Sequence, residues 1–131
     1  MNEVLNYLKK CKTFYLATTE DNQPHVRPFG AVCEFENKLY VVTNNKKNVY
    51  NQLIKNPKVE ICAMYQGTWI RIQGELKFDE RREARVAMMN DNKEALSNMY
   101  TVDDNLMVVF YFTHATATIY SFTEKPKLIT L

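Results

Sequence analysis

The sequence is poor in the residues on which most catalytic and metal sites depend. It has only two histidines, His25 and His114, and neither has a companion at ligand spacing. Gly-x-Ser-x-Gly, His-Glu-x-x-His, Walker and Gly-x-Gly-x-x-Gly patterns are all absent. These absences argue against hydrolase, zinc-protease, P-loop and Rossmann dinucleotide sites, and no metal site is predicted. An enzyme built on this chain would therefore need a cofactor for its chemistry.

Cysteine, glycine and proline are also scarce. Cys11, Cys33 and Cys62 are odd in number, widely spaced and set in apolar or strand-like segments. They predict buried free thiols in a reducing cytoplasm rather than a disulfide framework. With 3 glycines, 4 prolines and no internal repeat, the chain has no sign of a flexible linker. We therefore expect a single domain spanning residues 1–131.

Charge and hydropathy argue against two kinds of partner. The 17 basic and 15 acidic residues leave a net charge of +2, spread along the sequence. This balance favours neither nucleic acid nor an anionic membrane. No run of about 18 apolar residues occurs, and the first ten residues lack the apolar core of a signal peptide. We expect a cytoplasmic protein whose ligand is a small molecule.

The stretch 43–57 indicates a local anion site. Apolar residues four positions apart predict a short helix here, capped by Asn44 or Asn45. Lys46 and Lys47 would then lie in its first turn, where the helix dipole disfavours cations. A bound phosphate would reverse that cost. The alternative is that both lysines are simply solvated.

The rest of the chain is patterned mainly as strands. Alternating apolar and polar residues, separated by turn-forming segments, predict strands at 13–19, 25–35, 39–43, 59–65, 69–78, 106–112 and 117–122. Short helices are expected near 4–12, 79–89 and 92–99, beside the one that follows residue 45. Seven strands and a few short helices indicate a mainly β protein, a small antiparallel barrel with helices over its ends.

Two strand faces carry residues suited to a flat, anionic ligand. Arg27 is the first residue of a row on one strand face whose other members are apolar: Phe29, Ala31, Cys33 and Phe35. It is either a residue at the rim of the barrel, in water, or a guanidinium held for contact with phosphate.

Trp69 and Arg71 share the polar face of a later strand. They offer an aromatic surface and a fork of donors, although cross-strand packing or a dimer contact would explain them as well. Combined with Arg27 and the basic helix start, they could hold a flat cofactor that bears phosphate.

Four segments, in this order and spacing, carry a family resemblance. They are Phe14–Thr19, Pro24–Phe29, Leu39–Thr43 followed by Lys47 and Leu53–Pro57, and Trp69–Glu75. Together they resemble the pyridoxamine 5′-phosphate oxidase-like split-barrel flavoproteins, and more closely the branch of general stress proteins and nitroimidazole-resistance-related proteins.

The resemblance implies a split β-barrel that binds FMN at the interface of a homodimer. It implies that Arg27, Pro28 and Phe29 line the flavin pocket. The segment containing Thr43, Asn44, Lys46 and Lys47 would meet the ribityl chain or the phosphate. Trp69 and Arg71 would contribute from the partner subunit.

The leading functional hypothesis is an FMN-dependent oxidoreductase that passes hydride or electrons between a reduced nicotinamide and a small organic acceptor. Residues 123–131 lack the arginine-bearing motif with which true pyridoxamine phosphate oxidases hold substrate phosphate, so vitamin B6 oxidation is not expected. The alternative is a non-catalytic flavin or haem binding or sensor protein, since positioned acid–base residues are few. A third hypothesis, an oligonucleotide-binding barrel, is disfavoured by the charge balance.

Overall fold

The computed structural model describes residues 1–131 as one antiparallel sheet of eight strands with four helices around it. The strands follow one another in the sheet as β2-β1-β5-β6-β7-β4-β3, and β8 pairs with β7. The predicted fold class, mainly antiparallel β with peripheral helices, is confirmed. In chain order the elements are α1 (Asn2–Cys11), β1 (Phe14–Glu20), β2 (Gln23–Phe29), β3 (Val32–Phe35), β4 (Lys38–Asn44), α2 (Asn48–Lys55), β5 (Lys58–Tyr65), β6 (Thr68–Asp79), α3 (Arg82–Asp91), α4 (Lys93–Leu96), β7 (Met107–Ser121) and β8 (Lys127–Thr130).

The connection between β2 and β3 shows that the sheet is rolled up. These are the two edge strands, yet only Gly30 and Ala31 separate them in the chain. In a flat sheet the edges would lie about 29 Å apart, at about 4.8 Å for each of six strand spacings. A two-residue connection reaches about 11 Å at most. The two edges therefore meet, and the barrel has an unpaired seam between β2 and β3.

The interior of the barrel is filled by one cluster of 21 buried hydrophobic side chains. Strand alternation supplies most of them, because every second residue of β1, β5 and β6 points inward. α1 adds Val4 and Leu8, and α2 adds Val49 and Leu53. The two residues of each pair are four positions apart in the sequence and so share one helix face, which packs on the barrel. Ile54, also apolar and predicted on this side of α2, is exposed instead.

The second predicted strand is interrupted, which corrects the single apolar row expected from Arg27 to Phe35. β2 ends at Phe29 and β3 begins at Val32, because the chain crosses the seam between them. Phe29 and Val32 belong to the barrel interior, whereas Ala31 and Cys33 belong to a second cluster outside it. The crossing changes which residues face inward, so Arg27 and Cys33 do not share a face.

The last two predicted strands are one continuous strand, β7, of 15 residues. A bulge replaces the expected connection, since His114 has a φ of 50° and the pairing with β6 shifts between Gln73 and Glu75. Gly74 permits this close approach, because a Cβ there would lie 2.7 Å from the Cβ of Ala115. Beyond the bulge β7 also pairs with β8, an additional strand that the sequence pattern did not predict.

The expectation of three buried thiols holds only in part. All three cysteines are free, and Cys33 is buried, with a pKa that burial raises to about 12. Cys11 is half-buried, while Cys62 is exposed. Cys62 lies between the inward-facing Ile61 and Ala63, so strand alternation turns it to the outside.

A second cluster, of ten buried residues, lies where α3 and α4 cover the outside of β3, β4 and β7. A buried carboxylate, Asp79, ties α3 to this side of the sheet. The Tyr40 hydroxyl donates to it over 2.7 Å, and the Arg81 guanidinium donates two hydrogen bonds of 3.0 and 3.1 Å. Arg81 also pairs with Glu36. Burial raises the pKa of Asp79, but the bonds from Arg81 and Tyr40 outweigh it and leave that pKa below its ordinary value.

None of the four helices is both long enough and apolar enough to cross a membrane. No group of three or more His, Cys, Asp or Glu side chains lies close enough to hold a metal ion.

Replacing Asp79 by Asn should destabilise the protein by about 2 kcal/mol at pH 7, since the charged acceptor of several hydrogen bonds is lost. The folded-state pKa of Asp79 is lowered, so its contribution is complete above the unfolded-state value of about 3.9 and is lost as the pH falls below it. Urea unfolding of the wild-type protein and of Asp79→Asn, at pH values from 7 to 3, measures this contribution to stability. The matched control is Asp103→Asn, which removes an exposed partner of Arg82 and should leave the midpoint nearly unchanged. Equal midpoints for Asp79→Asn and wild type would contradict the assignment.

Candidate functional site

A mainly apolar cavity lies at the seam of the barrel. Its volume is about 190 Å³. The end of β2 and the crossing from β2 to β3 form one side, and the end of β4 with the start of α2 forms a second. The third side is formed by α4 and the residues after it. Its 13 lining residues are Arg27, Pro28, Phe29, Gly30, Ala31, Val42, Thr43, Lys47, Val49, Ala95, Leu96, Met99 and Tyr100. Five of these are site residues expected from the sequence: Arg27, Pro28, Phe29, Thr43 and Lys47.

The cavity is apolar with a concentrated positive charge. Eight of its lining residues are hydrophobic, and the only charged ones are Arg27 and Lys47. No carboxylate lines it, although the chain as a whole is nearly balanced in charge. Two cations in an apolar wall, without a counter-charge, favour a ligand that combines an apolar body with an anionic group.

The Arg27 guanidinium is held in position by hydrogen bonds to uncharged groups. Its Nη1 donates to the Leu16 carbonyl over 3.2 Å and to Thr18 Oγ1 over 2.9 Å, and its Nη2 donates to Gln52 Oε1 over 2.5 Å. Thr18 and Gln52 are buried, with 2% and 4% of their surface exposed. Burial lowers the pKa of Arg27, but a guanidinium stays charged at any physiological pH. Arg27 is thus held by hydrogen bonds rather than free in water at the rim, and its contact with a phosphate stays a prediction.

Lys47 lies immediately before α2 and not within its first turn, where it was predicted to lie. α2 starts at Asn48, with Lys47 in an extended conformation as the N-cap residue, so neither lysine is in the first turn. The predicted capping by Asn44 or Asn45 is also wrong. The Asn44 side chain accepts from the Lys46 amide over 2.7 Å instead, and no side chain caps the helix. The first amides of α2 are consequently left for an external acceptor beside the Lys47 ammonium group.

The third side of the cavity is formed by residues that were not predicted as site residues from the sequence. Ala95, Leu96, Met99 and Tyr100 belong to α4 and the turn after it. Tyr100 is buried beside the Asn44 side chain, and burial raises the pKa of its phenol. Met99 is 60% exposed at the mouth of the cavity. Only the packing of α3 on the sheet brings this segment to β2, so no spacing in the sequence could have indicated it.

Four predicted site residues lie outside the cavity lining. Asn44 adjoins the cavity, because its side chain lies beside Tyr100 of the lining. Lys46 is exposed on the turn before α2. Trp69 and Arg71 lie on the outer face of β6 and do not line the cavity of their own chain. The Trp69 ring stacks on Tyr120 at 5.4 Å and touches Phe122, while Arg71 pairs with Glu60.

Trp69 belongs to an exposed apolar face, which we call the open face. It is formed by the outward side chains of β2, β1, β5, β6, the second half of β7 and β8. Five of the chain's seven exposed large hydrophobic residues lie on or beside it: Tyr15, Val26, Met64, Phe122 and Leu128. Pro28 of the cavity pairs with Tyr15, so the open face runs up to the mouth of the cavity.

Residues 1–121 match the family model of pyridoxamine 5′-phosphate oxidase, and the chain belongs to that family. No curated protein sequence matches the chain.

Among solved structures, the chain is similar to a NimC/NimA family protein from Clostridium acetobutylicum. The two are 48% identical over 100% of this chain and 92% of the other, with a TM-score of 0.95. This similarity confirms the resemblance to nitroimidazole-resistance-related proteins.

Two more distant structures share the fold alone. General Stress Protein 26 from Bacillus anthracis is 18% identical over 99% of this chain and 97% of the other, with a TM-score of 0.76. A pyridoxamine 5′-phosphate oxidase-related, FMN binding protein from Nostoc punctiforme is 15% identical over 99% and 90%, with a TM-score of 0.62. The split-barrel architecture expected from the sequence is therefore confirmed.

Proposed function

We propose that this chain is an FMN-binding flavoprotein that passes hydride or electrons between a reduced nicotinamide and a small organic acceptor. The observation that carries the proposal is the cavity at the seam, which is mainly apolar and holds two cations with no counter-charge. FMN has that combination of properties, a flat apolar ring system and a phosphate. The family supports the same choice, since it includes an FMN binding protein of the same fold.

The residues of the cavity divide between the two parts of the cofactor. Lys47 and the free amides at the start of α2 would hold the phosphate, and Thr43 and Asn44 would meet the ribityl chain. The apolar walls, among them Phe29 and Val42, would exclude water from the ring. Arg27 would supply a second positive charge to an anionic part of the ligand.

The chain itself offers little acid–base chemistry at this site. The ionisable side chains that line the cavity are Arg27, Lys47 and Tyr100. Their roles are to bind and orient the ligand and to shield it from water. A bound flavin would supply the redox chemistry that these residues lack.

We further propose that the cofactor site is completed by a second copy of the chain. The cavity of one chain is about 190 Å³, below the roughly 300–1,000 Å³ of pockets that enclose a small-molecule ligand. The open face begins beside Pro28, so a second copy bound to it would reach the mouth of the cavity. Trp69 and Arg71 are on this face and would then serve the partner's site, as the family resemblance implies. Scattered exposed hydrophobics are ordinary, whereas five on one face favour an interface.

The absorption spectrum of the purified protein, before and after incubation with FMN and desalting, tests the proposed cofactor. We expect retained flavin bands equivalent to one FMN per chain. Anaerobic mixing of this holoprotein with NADH or NADPH should bleach the bands within seconds. Flavin that stays oxidised would favour the non-catalytic binding alternative, and a Soret band in the protein as isolated would favour haem. A colourless protein that retains no FMN would contradict the proposal.

Lys47→Ala should weaken FMN binding at least tenfold, because a charge-assisted contact with phosphate is worth about 1.5–3 kcal/mol. The neighbouring Lys46→Ala is the matched control, since it removes the same charge from a side chain outside the cavity. We expect it to change the dissociation constant less than twofold. Fluorescence titration with FMN measures both. Equal losses would show that only the general positive field matters and that Lys47 makes no specific contact.

Met64→Lys should convert the dimer to monomer and weaken FMN binding, because it places a charge beside Trp69 in the middle of the open face. Ile54→Lys is the control, as Ile54 is a similarly exposed hydrophobic residue of α2, outside this face. Sedimentation at micromolar concentration gives the assembly state. A wild-type protein that sediments as a monomer with FMN bound would contradict the shared site.

A further inference from the structure

We infer that Gln52 is a positioning residue that fixes the Arg27 guanidinium at the cavity while leaving its charge unneutralised for an anionic part of the ligand. This inference rests on the proposed function. It concerns a buried residue of α2 that does not itself line the cavity.

The contacts of Gln52 form a closed network with Arg27 and Thr18. Gln52 Oε1 accepts from Arg27 Nη2 over 2.5 Å and from the Thr18 hydroxyl over 2.6 Å. Thr18 Oγ1 in turn accepts from Arg27 Nη1 over 2.9 Å. Each group thereby holds the other two, so the guanidinium has a defined position rather than the freedom of a long side chain in solvent.

What distinguishes this network is that its acceptors carry no charge. Of the five arginines, Arg71, Arg81 and Arg82 each pair with a carboxylate. Arg85 donates to the backbone carbonyls of Glu80 and Val102. Arg27 has no carboxylate within 4.0 Å, although it is the arginine that lines the cavity. A glutamate at position 52 would satisfy the same hydrogen bonds and would cancel the charge.

An acidic residue, Glu20, contacts Gln52 on the side away from Arg27. Glu20 Oε1 accepts from Gln52 Nε2 over 3.5 Å, and its other oxygen lies 3.6 Å from Lys55 Nζ. The amide of Gln52 therefore separates Glu20 from Arg27, and Lys55 offsets the charge of Glu20. The chain keeps a carboxylate close enough to orient Gln52 but out of contact with the guanidinium.

This arrangement allows a test in which the total charge of the protein does not change. The double variant Glu20→Gln with Gln52→Glu exchanges the two side chains, so the carboxylate moves inward to Arg27 and an amide takes its former place. Wild type is the reference of equal charge, and Glu20→Gln alone is the control for the loss of the outer carboxylate. We expect the exchange to raise the FMN dissociation constant at least tenfold, and the control to change it less than twofold. The unfolding midpoint of the ligand-free exchange variant should equal or exceed that of the control, because Arg27 gains a carboxylate partner.

Riboflavin, which lacks the phosphate, identifies which anionic part Arg27 serves. If the exchange weakens FMN but not riboflavin, Arg27 faces the phosphate. If it weakens both, Arg27 serves the ring, where negative charge develops on reduction. Either result supports the inference, whereas FMN affinity within twofold of the control overturns it.

A ligand-free measurement separates failure of this inference from failure of the proposed function. In an Arg27→Met background the same exchange should lower the unfolding midpoint, since the inward carboxylate then lacks a partner. Inorganic phosphate should raise the midpoint of the Glu20→Gln control more than that of the exchange variant. If wild type binds no FMN but both effects are seen, the proposed cofactor is wrong and the role of Gln52 stands. If neither effect is seen, that role is overturned.

Discussion

The structure depends on the two-residue crossing from β2 to β3. Gly30 and Ala31 join the two edges of a seven-strand path, which forces the sheet to close on itself without the last row of hydrogen bonds. An unpaired seam is usually a liability, since its amides and carbonyls are open to other chains. Here α3 and α4 pack beside the seam, and the cavity lies between them and the end of β2. The feature that closes the barrel therefore also creates the place for a ligand.

The same geometry explains how the charged side chain of Arg27 can lie in the apolar lining of the cavity. The cost of burying a guanidinium is large unless its donors find acceptors. At Arg27 these acceptors are a carbonyl, a hydroxyl and an amide, so hydrogen bonding is satisfied without a counter-ion. Asp79 shows the opposite solution in the same molecule, as its carboxylate meets Arg81 directly and serves the packing of α3. The difference between the two sites lies in the charge of the partners.

The outer surface of the sheet has a covered half and an exposed half, and the exposed half is the one proposed to form the dimer. α3 and α4 cover β3, β4 and the first half of β7, while the open face on the other strands keeps its aromatic and aliphatic side chains in solvent. The bulge at His114 and Gly74 lies between these halves, where β7 changes its partner from β4 to β8. A long, bent β7 thus links the covered half, which holds the cavity, to the half proposed to meet a second copy.

By itself the sequence determined the mainly β class, the inward rows of β5 and β6, the packing faces of α1 and α2, and five residues of the cavity. The class and the faces follow from local periods, which neighbours in the chain express without help from the fold. Arg27 and Lys47 were indicated by their charge, whereas Pro28, Phe29 and Thr43 were implied by the family resemblance. Tertiary structure alone decided the interruption at Gly30, the continuity of β7, the wall formed by Ala95 to Tyr100, and the uncharged partners of Arg27. Each of these joins residues far apart in sequence, such as Arg27 and Gln52, and depends on how a sheet curls and closes. Alternation is the same in a flat sheet and in a rolled one, so the pattern of residues could not show where the edges meet.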